Sequence, residues 1–106
     1  MAILKHIVFL GDSLNRLRDF PYDARQDMGR ELARVQEGRE PLDWKPMPSV
    51  GKGVSEIRVS ERAGEFRTLY VAQFADAIYV LHAFQKKSQK TPARDINLAA
   101  ARYKQI

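Results

Sequence analysis

The chain has no cysteine, only two histidines and a single tryptophan among 106 residues. Without cysteine, neither a disulfide framework nor a thiolate metal site can form. His6 and His82 fall on separate predicted strands without a carboxylate-rich neighbourhood. No HExxH is present, so no metal ion and no other cofactor is expected. The sequence also lacks GxxxxGK[ST] and GxGxxG, the glycine-rich loops that cradle nucleotide phosphates, and shows no local pattern of Ser/His/Asp catalysis. No apolar run approaches the length of a membrane span. The opening MAILKHIVFLGDS is too short in apolar residues for a signal segment and lacks a small-residue cleavage pattern. The chain is therefore expected to work in the cytoplasm, with no membrane partner.

What is present is a core and an excess of cations. Apolar residues at 44% and charged residues at 29% fit an ordinary globular chain. The length predicts one domain over residues 1–106. The formal charge of +5 is unevenly placed. Through Trp44 there are seven Lys/Arg against eight Asp/Glu, a balance of −1; from Lys45 onward there are eleven against five, a balance of +6. A basic half suits an anionic partner, of which nucleic acid is the commonest. A merely solvated basic surface is the competing reading.

Hydrophobic periodicity orders the elements. Ile3 to Leu10 is β-branched and aromatic enough for a strand, stopped by Gly11-Asp12-Ser13. Asp12 or Ser13 is placed to cap a short helix running to Phe20, which Pro21 breaks. Ala24, Met28, Leu32 and Val35 recur at helical spacing, with Gly38 just past the end. Residues 39–53 hold Pro41, Pro46, Pro48, Gly51 and Gly53 and read as a loop that Trp44 anchors to the body. A strand begins at Val54, a turn is expected at Ala63-Gly64-Glu65, and Phe66–Phe74 and Ala77–Phe84 form a hairpin. Thr91 and Pro92 resemble the N-cap and first residue of a last helix, with Ile96, Ala99, Ala100 and Tyr103 on one face. Strand, two helices, three strands and a helix argue an α+β fold. The expectation is a small, mostly antiparallel sheet with an N-terminal helical hairpin, a C-terminal helix, and one face or rim left open.

Phe66–Arg94 is the most informative stretch. Arg67 opens its first strand, and Lys86, Lys87 and Lys90 follow its second. Converging cations stabilise the charge that builds on a phosphate during phosphoryl chemistry. In RNA the 2′-hydroxyl is a built-in nucleophile, so a clamp that aligns it needs no metal. Alternation puts Arg67, Leu69 and Val71 on one face, and Phe66, Thr68 and Tyr70 on the other. His82 alternates with Val80 and Phe84, which suggests burial beside its candidacy as an acid or base.

Glu56-Ile57-Arg58, Phe66-Arg67-Thr68-Leu69-Tyr70, the segment Leu81–Pro92 with its HAFQKKSQKTP run, and Ala99–Tyr103 together give a family resemblance. The chain resembles toxins of the RelE/HigB superfamily of type II toxin–antitoxin systems, in the phage-related HigB-like branch. The resemblance implies a RelE-like fold and an endoribonuclease that cuts messenger RNA on the ribosome. It also implies a helix-turn-helix, HigA-like antitoxin as partner. It maps the family's strand arginines onto Arg67 and Arg58 and its lysine cluster onto Lys86, Lys87 and Lys90. On this reading Arg67 holds the scissile phosphate, and Arg58 and Lys86 neutralise neighbouring charge. Lys52, Lys87, Lys90 and Arg94 grip RNA backbone. His82 and Tyr103 are the candidates for proton transfer, although Tyr103 also fits the apolar stripe of the last helix. Two alternatives stand beside it: a ParE-like inhibitor of DNA gyrase that cleaves nothing, and a catalytically silent RNA-binding relative.

Overall fold

The computed structural model describes residues 4–106. It is α+β, as the element order predicts. The elements are β1 (His6–Phe9), α1 (Ser13–Arg18), α2 (Tyr22–Gln36), β2 (Trp44–Pro46), β3 (Val54–Glu61), β4 (Gly64–Val71), β5 (Ala77–Lys86) and α3 (Ala93–Tyr103). The five strands form one sheet in the order β1-β5-β4-β3-β2. β2, β3, β4 and β5 pair antiparallel, and only β1 lies parallel to its neighbour β5. Parallel pairing follows from connectivity: the chain leaves β1 through both helices and three strands before β5 returns beside it.

Both faces of the sheet are covered in part. Leu17, Phe20, Ala24, Met28, Leu32 and Val35 of the helical hairpin bury against Ile57, Val59, Phe66, Tyr70, Ile78 and Val80. Each Val, Leu, Ile, Met and Phe among them contributes about 1.5–3 kcal/mol on burial. On the other face, Ala99, Ile96 and Tyr103 of α3 pack with Val54, Leu69, Val71, Leu81 and Phe84. Of the face or rim expected to stay open, the structure leaves a rim: α3 packs on the far side of the sheet from the helical hairpin and leaves free the part over β3, β4 and the end of β5. The β4 alternation holds, with Phe66 and Tyr70 towards the hairpin and Leu69 and Val71 towards α3.

Five local expectations are revised. The first strand is shorter than Ile3–Leu10, and Ile3 itself lies outside the described residues. α1 ends at Arg18, and the Asp12 carboxylate accepts from Arg16 and Arg102 rather than capping the helix. The loop over 39–53 contains β2, a three-residue edge strand whose brevity and Pro46 hide any alternation. β4 starts earlier and stops earlier than Phe66–Phe74, and β5 runs on to Lys86. Pro92, not Thr91, holds the N-cap position of α3, because the Thr91 hydroxyl is committed elsewhere.

One irregularity matters for the site. Leu69 faces His82 while Tyr70 faces Val80, so Leu81 is an extra residue in β5. This bulge breaks strict alternation. Val80 packs under the helical hairpin, whereas His82 stacks on Phe84 on the α3 side with ring centroids 5.2 Å apart. The expected His82–Val80 partnership is corrected accordingly.

Candidate functional site

The uncovered part of the α3-side face gathers four cations around the buried carboxylate of Glu56, with the exposed Glu65 at its border. The register sets Arg58 beside Arg67 and Glu56 beside Leu69. Lys45 lies opposite Glu56 on the edge strand, and Lys86 opposite Glu65 at the end of β5. Residues that share a face at adjacent strands lie within side-chain reach, so Lys45, Arg58, Arg67 and Lys86 converge. Their mutual field is felt at Lys86. Its pKa is lowered, first by burial of the ammonium and then by Arg67, with Lys45 and Arg58 adding and Glu56 opposing.

Glu56 is the floor of this site. It is fully buried. Its Oε2 accepts from the Thr91 hydroxyl at 3.0 Å, and its Oε1 lies 3.5 Å from Arg67 Nε. Arg67 is itself only 5% exposed. Its guanidinium donates to the Phe66 carbonyl at 3.0 Å and to a Glu65 carboxylate oxygen at 3.3 Å. Arg67 Nε and Glu56 Oε1 face each other yet neither completes a well-formed hydrogen bond. The structure thus moves Arg67 from the surface of the site to its base. Arg58, Lys45 and Lys86 are the half-exposed cations above it. The Thr91–Glu56 bond also ties the lysine-rich turn after β5 to the sheet.

The other sequence candidates are placed elsewhere. His82 is buried, with Nε2 2.7 Å from Asp95 Oδ1 and Nδ1 without a partner. Burial holds its pKa below the usual histidine value, with the Asp95 carboxylate opposing and Arg16 and Arg102 adding a little to the lowering. Tyr103 donates its hydroxyl to the Lys52 carbonyl at 2.8 Å. A Cβ built on Gly51 would meet the Tyr103 ring at 2.7 Å, so the ring is seated on that loop. Tyr103 and Lys52 therefore sit by the Val54 end of β3, several residues along the strand from Arg58. Lys87 and Arg94 border a cavity of about 610 Å³ between the start of α3, the end of β5 and Arg16 of α1. Lys90 is exposed on the turn, where its carbonyl accepts from Ser88 Oγ.

Two residues of the cluster escaped sequence reasoning. Glu56 carried a signal, since alternation puts it on the face of Arg58 and opposite the face of Ile57. Lys45 carried none, because nothing in 39–53 announces a strand. Among the described residues, no three His, Asp or Glu side chains are grouped as metal ligands would be. No described helix is long and apolar enough to cross a membrane.

His82 has a lowered folded pKa, so below the unfolded value near 6.5 the unfolded chain takes up a proton that the folded chain resists. Stability is then full above that value and declines as pH falls below it. Thermal melts at stepped pH should show this decline, and His82→Gln should flatten it; an unchanged slope in the variant would remove His82 from the account. Tyr103→Phe deletes one hydrogen bond to a backbone carbonyl at a largely solvated site, a loss of about 0.5–1.5 kcal/mol at most. Chemical denaturation of the variant checks that figure.

The class defined by this geometry is a small α+β protein with a sheet-borne cationic face suited to anions. The chain belongs to the family described as Phage derived protein Gp49-like (DUF891), which matches residues 15–104. That family is associated with RelE/HigB-like toxins, and so with a toxin–antitoxin context and an antitoxin partner. A comparison with curated proteins finds no match.

Proposed function

We propose that the protein is a toxin of the RelE/HigB kind that cleaves messenger RNA without a metal ion, held in check by a helix-turn-helix antitoxin. The observation that carries this reading is the convergence of Lys45, Arg58 and Lys86 over the Glu56–Arg67 pair. The 2′-hydroxyl gives up its proton to solvent water and attacks the adjacent phosphorus, the bond to the 5′ oxygen breaks, and a 2′,3′-cyclic phosphate and a 5′-hydroxyl result. Arg58 and Lys45 hold the non-bridging oxygens, where charge grows in the transition state. Lys86, with its lowered pKa, gives its proton to the departing 5′ oxygen. Arg67 supplies positive potential from beneath and is held in place by Glu56 and Glu65. Lys87, Lys90 and Arg94 extend the cationic surface along the strand's exit, where they engage message or ribosomal RNA backbone. Lys52 does the same from the other end.

The test is induced expression in a bacterium with transcripts followed directly. Wild type should arrest growth and shorten messenger RNA, and Arg58→Ala should do neither. Growth arrest with intact messages and inhibited supercoiling would replace this reading with gyrase inhibition. RNA binding without cleavage would leave a binding module. Tyr103→Phe should cleave within about twofold of wild type, because its hydroxyl is committed to the Lys52 carbonyl; a loss of about a hundredfold or more would return Tyr103 to proton transfer.

A further inference from the structure

The opposite side of β3 carries a second surface of different chemistry. β2 pairs with β3 only over Ser55–Ile57, and its last contact is the Arg58 N–H donating to the Asp43 carbonyl at 2.9 Å. There the chain turns away, because the Leu42 N–H donates to Glu31 of α2. In an antiparallel ladder alternate residues point their backbone groups the same way. The Arg58 carbonyl and both the N–H and carbonyl of Ser60 therefore face outward, where no described backbone group pairs with them. An open strand edge is a template for a further strand.

The edge lies at the bottom of a trough. Two adjoining cavities, of about 550 and 390 Å³, run between α2 and consecutive residues of β3 and its turn. The two ends of the trough carry two of the most exposed large apolar side chains of the fold, Leu42 at 77% and Tyr22 at 66% exposed. The first cavity is bordered by three arginines and three acidic residues. The second has Arg62 against Asp23 and Glu61. This near-neutral lining differs from the cationic face and does not suit a nucleic-acid backbone, which needs an excess of cations. Tyr22 and Glu31, whose carboxylate holds Leu42, are about 14 Å apart along the helix. A five-residue extended strand spans about the same distance between its first and last side chains.

We infer that this trough binds an extended segment of a partner polypeptide as a sixth strand, continuing the line of β2. Its backbone pairs with Ser60 and the Arg58 carbonyl. Three apolar side chains at alternate positions point towards α2, the outer two covering Leu42 and Tyr22. Main-chain bonds supply the affinity and the apolar positions the selectivity, the usual division in strand addition. The surface stands apart from the proposed nuclease chemistry, sharing only Arg58 at its border.

The test uses the full chain, nitrogen-15 labelled, titrated with the capped peptide Ac-Leu-Thr-Leu-Thr-Leu-NH2. Saturable shifts are expected at Val59, Ser60, Leu42 and Tyr22, with slowed amide exchange at Ser60 and no response at Lys86 or Lys87. Methylating the central peptide nitrogen removes a donor without touching the protein, and should weaken binding by at least about tenfold. Leu42→Asp should do likewise. Absence of shifts at millimolar peptide, shifts confined to the cationic face, or indifference to methylation would overturn the proposal. So would a concentration-dependent dimer abolished by Leu42→Asp, which would assign the trough to a second copy of the chain.

Discussion

Lys86→Ala is expected to lower RNA cleavage by about two to four orders of magnitude, the range for losing a positioned acid. Lys86→Arg separates the two tasks proposed for this residue. Arginine keeps the charge and does not give up its proton at accessible pH, so RNA binding should persist while turnover falls nearly as far as in the alanine variant. The pH dependence has a definite sign. The Lys86 ammonium is destabilised by burial and by Arg67, Lys45 and Arg58. It therefore loses its proton at a lower pH than an ordinary lysine does. Below that pKa the acid is present; above it the proton and the charge are both gone. Cleavage should accordingly fall as pH rises, from below the ordinary lysine value of 10.5. Single-turnover rates on a short RNA, measured across alkaline pH, check this. A Lys86→Arg enzyme with wild-type turnover would rule out proton transfer by Lys86 and leave it as a point charge.

The largest effect on stability is expected at Glu56. Removing either partner of a buried ion pair strands the other without water, at a cost of about 3–5 kcal/mol. Glu56→Ala leaves the 5% exposed Arg67 beneath three further cations with only Glu65 to oppose it. It also releases Thr91 and the lysine-rich turn. For a chain near 100 residues each kcal/mol shifts the melting temperature by roughly 4–8 °C, so the loss should be plain in a thermal scan. The double variant Glu56→Leu with Arg67→Met exchanges the pair for apolar side chains. It should recover much of the stability, because the pair's existing geometry is poor and both facing atoms lack a good hydrogen bond. A double-mutant cycle by urea denaturation reads the coupling directly. Costs below about 1 kcal/mol for Glu56→Ala would show that water reaches the site and that the pair is screened. If the double variant folds but no longer cleaves RNA, the positive potential of Arg67 is needed from below the phosphate, and not merely for packing.

Much of the architecture was legible because its signals are local. The stripe Ala24, Met28, Leu32, Val35 has the period of a helix and is buried as one face of α2. The β-branched and aromatic runs after Val54 became β3, β4 and β5. Alternation placed Arg67 with Leu69 and Val71 correctly. Alternation failed at His82, where a single extra residue in β5 changes which neighbours share its face. β2 was missed because three residues, one of them proline, are too few to show a period. The side taken by α3 was missed because an amphipathic stripe states that a face is buried, not against which side of the sheet.

The sequence by itself determined the α+β class, the order of nearly all the elements, the basic character of the second half and the spread of Arg58, Arg67 and Lys86 over three consecutive strands and their exit. These follow from composition, period and short-range spacing, which survive in one dimension. Only the tertiary structure decided which cations meet. Lys45 is brought in by an edge strand, Arg67 is sunk onto a buried Glu56, and Tyr103 is drawn off to the Lys52 loop. Depth and cross-strand register set the dielectric, the hydrogen-bond partners and hence the charge state of each group, and neither is encoded by position along the chain alone.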